Sequence, residues 1–259
     1  MGPSDKMNPL LLNERVAWGT LYRVGGLSAL IAAVLEIGAV FISIIFARAV
    51  PGPPPGAVVQ WFTLLHDHRF VGLTYLGILD LIAIALISMM FLALCVALRR
   101  GHTTSMAVAA ALAFLGIAVY LATSTVVPMV SLSDQYAAAT TDAKRSLLVA
   151  AGHAVLAVGG VGTGAYMSFL LMGVAGLVIS VVMLRTSIFS RAAAYVGILA
   201  NVATLAYYVV PLVAPSAGVL FLWISGLLFL IWMILVGHRL VTYAPLPVFF
   251  TGATPDRVA

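Results

Sequence analysis

Two acidic residues, Glu36 and Asp80, lie inside long apolar stretches of the sequence. An ionised carboxylate in hydrocarbon costs about 3 kcal/mol even on lenient scales, so such residues usually face a bundle interior and serve function. Glu36 precedes Phe46 by ten residues and Asp80 follows Phe70 by ten, which predicts that both lie about 15 Å below one membrane surface. The two carboxyls are therefore expected to meet across the first helix hairpin, where burial and like charge keep at least one of them protonated.

Three further polar residues are candidates for binding or proton transfer. Asn201 begins a polar stripe that continues with Thr204 and Tyr208 at helical spacing. His153 stands just before a glycine-rich segment, and it would join the carboxyl pair if its helix dips into the membrane. The alternative for all of these residues, and for the carboxyls, is a hydrogen bond between helices that only fixes their packing.

The run His66-Asp67-His68 invites comparison with a metal site. On a helix, residues two apart point to nearly opposite sides, and the chain contains no zinc spacing such as His-Glu-x-x-His. One cysteine, Cys95, lies within an apolar run and has no partner for an intramolecular disulfide. The sequence therefore predicts neither a metal site nor a cofactor.

Composition determines the class of protein that must position these residues. Of the 259 residues 63% are hydrophobic and only 8% are charged, against about 25% charged in soluble domains. These values exclude a soluble globular domain, a disordered chain and a secreted disulfide scaffold. We predict an all-α fold, a polytopic transmembrane helical bundle of six spans plus short interfacial helices, with spans near 24–46, 70–98, 105–127, 163–184, 192–213 and 218–237.

The segments outside the spans show local signals of their own. Proline and glycine between residues 51 and 56 predict a loop, and Val58 to Leu65 after it predicts a short helix with aromatic rings at headgroup level. The uncharged run 147–184 is too long for one span, so we expect a helix near 143–158, a break within Gly159–Gly164, and then the fourth span. The predicted divisions are 1–23 as a cytoplasmic segment, 24–240 as the membrane domain and 241–259 as a cytoplasmic tail.

The positions of Lys and Arg predict the orientation. Nine of the 13 fall on the side that carries both termini, and four fall on the other side, which the positive-inside rule assigns to the exterior. We therefore expect a multi-pass protein of the plasma membrane with both termini in the cytoplasm. The basic residues form no cluster, so they do not indicate nucleic-acid binding. The lipid bilayer is the partner that the composition requires.

Between Trp18 and Leu240 the chain carries Asp80 within its span and three short runs, Leu21-Tyr22-Arg23 before Gly25-Gly26, Ser190-Arg191 leading to Tyr195-Val196-Gly197-Ile198-Leu199, and Trp232-Met233-Ile234-Leu235-Val236-Gly237-His238-Arg239-Leu240. In these residues the chain resembles a family of bacterial membrane proteins, domain of unknown function family 4386. The resemblance implies a protein of the bacterial inner membrane with about six spans, and it supplies no activity or catalytic residue.

Three functions fit these residues. The first is binding or transport of a small or apolar ligand through a protonatable centre at Glu36 and Asp80. The second is an intramembrane enzyme that uses a neutral carboxyl as general acid on a lipid or isoprenoid substrate, with tyrosines and tryptophan lining its pocket. The third is a non-catalytic component of a membrane complex. The chain shows no nucleophile paired with a base, so we favour binding or transport.

Overall fold

The computed structural model describes residues 9–54, 56–158, 163–210 and 218–243, with side chains described from Trp18 onwards. The described residues contain helices and no strand, which confirms the predicted all-α fold. The helices are α1 (Pro9–Ala49), α2 (Val58–Asp67), α3 (Arg69–Tyr75), α4 (Ile78–Leu98), α5 (Thr103–Ala122), α6 (Val126–Ala137), α7 (Asp142–Val158), α8 (Thr163–Met183), α9 (Arg191–Val209) and α10 (Gly218–Tyr243).

Six stretches within the described residues are long and apolar enough to cross a membrane, as predicted. They are α1 from Trp18, α4, α5 with its continuation α6, α8, α9 and α10. The first helix extends beyond the predicted 24–46 at both ends, and residues 211–213 of the fifth predicted span lie outside the described residues.

The predicted second span, 70–98, is wrong at its beginning. Gly77 has φ +87°, in the left-handed region that ends a helix, so α3 stops before it and α4 starts after it. Asp80 therefore lies in the first turn of α4 rather than ten residues into a continuous helix. A hydropathy profile does not register this break, because the residues on both sides of Gly77 are apolar.

The six spanning helices form a closed ring in chain order. Each packs against the next, α1 on α4, α4 on α5, α5 on α8, α8 on α9 and α9 on α10, and α10 returns to α1. The ring places α8 across from α1, and α9 across from α4. Polar residues that face inward from opposite helices can therefore share one internal space.

Glycines allow α1 to approach its two neighbours closely. A Cβ on Gly26 would lie 2.8 Å from the carbonyl oxygen of Gly237 and 2.9 Å from the amide nitrogen of Val241, both on α10. A Cβ on Gly25 would lie 2.3 Å from the Cβ of Ala93 on α4. Lipid tails are as apolar as leucine, so membrane helices associate through such close contacts rather than through exclusion of water.

The half of the ring next to the short loops 99–102 and 184–190 is filled by a dense core. Phe91 and Trp232 pack with their ring centroids 6.4 Å apart, and Met90, Leu94 and Leu240 beside them are fully buried. We call this half the basic end, because Arg99 and Arg239 lie there with the arginines of the neighbouring loops.

The opposite end of the ring carries a second, smaller core made by α2, α6 and α7. Phe62 is 1% exposed there and packs on Tyr136 at 5.1 Å, so this ring does not face the headgroups as the sequence predicted. Gly152 on α7 presses against Phe62 and Val58 of α2. The predicted helix before the fourth span is α7, and the structure separates it from α8, whereas Gly159–Gly162 of the predicted break lie outside the described residues.

Substituting Gly26 by alanine tests the α1–α10 contact. The new Cβ meets backbone atoms, which do not yield as a side-chain end would, and the contact should lose about 1–3 kcal/mol. We expect Gly26→Ala to lower the apparent Tm in detergent, measured by circular dichroism.

Gly38→Ala is the matched control on the same helix, since a Cβ there meets no atom within 4 Å in the described part of the chain. It should keep or slightly raise the Tm, because alanine favours the helix over glycine. Equal melting temperatures for the two variants would contradict the close contact of α1 with α10.

Candidate functional site

A cavity of about 520 Å³ occupies the half of the ring away from the basic end. All six spanning helices contribute to its wall, and the packed core of the basic end forms its floor. Its lining is mostly aliphatic and aromatic, with a few polar groups: Glu36, Ile37, Val40 and Phe41 of α1, Asp80, Ile84 and Ile87 of α4, Tyr120 of α5, Phe169, Met172 and Gly173 of α8, Asn201, Thr204, Tyr207 and Tyr208 of α9, and Leu222, Trp223, Ser225, Gly226, Leu227, Phe229, Leu230 and Met233 of α10.

Glu36 and Asp80 stand on the neighbouring helices α1 and α4, and both line this cavity. Asp80 lies near enough to Glu36 for its charge to act on that carboxyl. On α1, Ala32 and Ala33 come just before Glu36, and both are fully buried against the rest of the bundle. The small side chains let α1 and α4 approach each other, which brings the two carboxyls to one side of the cavity.

The break at Gly77 fixes the position of Asp80. A Cβ at residue 77 would lie 2.9 Å from Oδ2 of Asp80, so glycine is required there for space as well as for its left-handed backbone. Asp80 occupies the first turn of α4, where the free amide groups and the helix dipole favour a negative charge. The helix end thus offsets part of the cost of an ionised carboxyl at this depth.

Neither carboxyl has a neutralising partner within the described part of the chain. No hydrogen bond or ion pair reaches either one, and the described lining of the cavity includes no lysine, arginine or histidine. Tyr120 of α5 is the third titratable group close to both, near enough to interact with each carboxyl electrostatically. The described residues therefore provide no counter-charge for an ionised carboxyl, and a proton or a bound ligand must offset the remaining cost of burying it.

Aromatic rings from α8 and α9 form a wall across the ring from the carboxyls, and Tyr120 of α5 adjoins this wall. Phe169 and Tyr208 stack with an interplanar angle of 12° and centroids 5.7 Å apart. Tyr120 meets Phe169 edge-on at 5.5 Å, and Tyr207 meets Tyr208 edge-on at 4.7 Å. The hydroxyl of Tyr166 donates to the carbonyl oxygen of Tyr208, which holds α8 and α9 together behind this wall.

Asn201 places an amide group at the base of the aromatic wall. It is 2% exposed, and its Nδ2 donates to the carbonyl oxygen of Gly197 at 2.7 Å. Gly176 of α8 leaves room for the amide, since a Cβ there would lie 2.1 Å from Oδ1. Within the described residues Oδ1 accepts no hydrogen bond, so it remains available to a donor in the cavity.

The cavity opens sideways between α1 and α10. These helices touch near the basic end through Gly26 and Gly237, but toward the other end their lining residues are exposed on the outer surface. Phe41 of α1 is 63% exposed, and Trp223 of α10 is 65% exposed. A Cβ on Gly226 meets no atom of the described residues within 4 Å, so these residues leave space between the helices at this level.

The structure brings together four of the five candidate residues that the sequence offered. Glu36, Asp80, Asn201 and Tyr208 line one cavity. His153 does not, because it is exposed on α7, which packs against α2 and α6 instead of entering the ring.

The histidines of the run 66–68 are exposed, and His66 Nδ1 lies 2.9 Å from Oδ1 of its neighbour Asp67. Within the described residues, no group of three or more His, Cys, Asp or Glu side chains is placed to hold a metal ion.

Sequence reasoning did not single out Phe169 and Tyr207, which build the aromatic wall. An aromatic residue in a span carries no sign of whether it faces lipid or the bundle. The one usable signal was the helical spacing of Tyr208 from Asn201 and Thr204 on α9, which marked the inward face of that helix.

Comparisons of the chain with protein-family models, with curated proteins and with solved structures find no match.

Carboxamide substitution separates a structural role of the carboxyl pair from a functional one. Glu36→Gln and Asp80→Asn keep the shape and remove a charge that the protein does not neutralise. We expect each to leave the free energy of unfolding in detergent unchanged or to raise it by about 1–2 kcal/mol.

Asn201→Ala serves as the comparison, because it removes a bonded, fully packed amide. That variant should lose about 1–3 kcal/mol of unfolding free energy. If Asp80→Asn instead destabilised the protein as much as Asn201→Ala, the carboxyl pair would be a packing device.

Proposed function

We propose that the protein binds a small molecule with a large apolar surface in the cavity at Glu36 and Asp80 and transports it across the membrane. The observation that carries this proposal is a cavity at membrane depth that combines an aromatic and aliphatic lining with two carboxyls lacking any neutralising partner in the described part of the chain.

The size and lining of the cavity support a ligand rather than an internal packing defect. Sites for small ligands typically measure about 300–1,000 Å³ and combine apolar walls with a few polar groups that orient the ligand. The present cavity has that size, and its polar groups converge from α1, α4, α5 and α9. A void without a ligand would forfeit the dispersion contacts of about twenty side chains around it.

The two carboxyls support a function that changes their protonation. An ionisable group inside a membrane protein is costly and is usually kept for an ion or substrate pathway or a proton relay. Glu36 and Asp80 can each be neutral when protonated and charged when a partner arrives. Such a pair provides the protonatable centre that coupling of ligand movement to protons requires.

The side opening between α1 and α10 suggests the route of entry. A ligand with apolar surface concentrates in the hydrocarbon, and the exposed rings of Phe41 and Trp223 border the opening to that phase. The floor at the basic end is closed by Phe91 and Trp232. Release to the other side then requires α10 to move relative to α1 about their glycine contact at Gly26.

The charges support the orientation in which the basic end faces the cytoplasm of a bacterial cell. Six arginines with described side chains lie at that end, whereas the opposite end carries four Lys and Arg residues together with three aspartates. Under the positive-inside rule the first end, and with it both termini, is cytoplasmic in the plasma membrane. The cavity then lies in the outer half of the membrane.

Cysteine labelling tests this orientation. Ser187, between α8 and α9, and Thr140, between α6 and α7, are both exposed, and the native Cys95 is buried. In spheroplasts, a membrane-impermeant maleimide should label Thr140→Cys and should spare Ser187→Cys until the cells are lysed. The reverse pattern would overturn the orientation.

A neutral apolar dye, 1-N-phenylnaphthylamine, tests the binding site. We expect saturable fluorescence from the protein in nanodiscs, above that of protein-free nanodiscs. Gly226→Trp projects a large ring into the open space beside the cavity, so it should weaken this binding about tenfold or more.

Gly38→Trp is the matched control, because residue 38 also faces open space but does not line the cavity. This variant should bind the dye as the wild type does. Equal binding by the two tryptophan variants, or no saturable binding by the wild type, would contradict the proposal.

A further inference from the structure

We infer that the ligand of this cavity is a monovalent organic cation with an apolar body, bound between the carboxyls of Glu36 and Asp80 and the aromatic wall, and that it enters in exchange for a proton. This inference rests on the proposed binding function and adds the charge and the chemical class of the ligand.

The charge of the cavity excludes an anion and favours a cation. The titratable groups that face it are Glu36 from α1, Asp80 from α4, Tyr120 from α5, and Tyr207 and Tyr208 from α9, whereas the described lining from α8 and α10 contributes none. Every one of these groups is neutral or negative in its accessible states. An anionic ligand would meet repulsion, and a cation would supply the positive charge that the described lining lacks.

The aromatic wall supplies a second, independent preference for a cation. The faces of aromatic rings carry negative electrostatic potential, and they attract quaternary ammonium groups and other organic cations. Phe169 and Tyr208 stack on each other, and Tyr120 closes the corner toward the carboxyls. Their helices α8 and α9 stand across the ring from α1 and α4, so a cation in the cavity lies between rings and carboxyls.

The Asn201 amide provides a specific polar contact. Its Oδ1 accepts no hydrogen bond in the described part of the chain, although the residue is 2% exposed and lines the cavity. An N–H or a polarised C–H group next to a positive nitrogen is a donor that such an oxygen accepts. The remaining lining is aliphatic and suits the apolar part of the ligand.

Proton exchange follows from charge balance. Without a ligand, the compensation for a carboxyl at this depth is a proton on its own oxygen. When a monovalent cation arrives, one carboxylic acid releases its proton to solvent, and the resulting carboxylate pairs with the cation. The net charge of the site is the same before and after, so one proton leaves for each cation that binds.

Two probes of matched shape and opposite charge test the inference. Tetraphenylphosphonium and tetraphenylborate have the same four phenyl groups, and each is dialysed to equilibrium against the purified full-length protein in nanodiscs of zwitterionic lipid. We expect the wild type to retain the phosphonium above protein-free nanodiscs and to retain no borate. A pH-sensitive dye in weak buffer should record about one proton released per phosphonium bound, as the charge balance requires.

Four variants refine the test. Glu36→Gln and Asp80→Asn should each weaken phosphonium binding about tenfold or more, because the cation then faces one ionisable carboxyl instead of two. Glu36→Asp keeps the charge and should retain most of the binding, which separates loss of charge from misfolding. Asp67→Asn removes an exposed carboxyl outside the cavity and should leave binding unchanged.

Each remaining outcome overturns a defined part of the argument. If the wild type binds 1-N-phenylnaphthylamine in a manner sensitive to Gly226→Trp but retains no phosphonium, the ligand is not a cation and the binding function stands. Phosphonium binding that the carboxamide variants leave intact, or binding without proton release, also overturns the inference about charge. If neither probe binds, the inference and the proposed function fail together.

Discussion

The cost of keeping two carboxyl groups at membrane depth is the constraint on which the rest of this structure depends. Hydrocarbon offers no hydrogen bonds and little screening, so Glu36 and Asp80 must face an internal space. The ring of six helices creates that space and turns both carboxyls toward it. The described lining supplies no cation to them, and the start of α4 offsets only part of the cost for Asp80, so the rest of the compensation has to come from protons or from a ligand.

The basic end of the ring stabilises the fold, and the other half holds the cavity. At the basic end, glycines such as Gly26 and Gly237 let helices touch through their backbones, and large side chains such as Phe91 and Trp232 fill the centre. At the other end the same helices separate around the cavity. Dense packing at the basic end can offset the contacts that the helices lack around the cavity, since dispersion between close-packed atoms is the main attraction between membrane helices.

The small core of α2, α6 and α7 contributes to this arrangement from outside the ring. Ser133 of α6 donates a hydrogen bond to the carbonyl oxygen of Phe62 at 2.9 Å, and Gly152 of α7 admits the same ring. These contacts join α2 and α7, which lie between spans in sequence, to α6, the continuation of the third spanning stretch. The connections at the cavity end are thereby packed on each other rather than on the aromatic wall.

The sequence by itself determined the spans and the need to hide Glu36 and Asp80, because length, hydropathy and the cost of a charge in hydrocarbon are properties of each segment alone. It did not determine that Gly77 breaks the second span, since the left-handed backbone there depends on how α3 and α4 must turn. The rotation of each helix in the ring turns Phe169 inward, and the packing of α7 on α2 and α6 leaves His153 outside the ring. Both were decided only by tertiary packing. Lipid and protein interior are equally apolar, so the sequence pattern of a span carries little information about which face of the helix contacts lipid and which contacts protein.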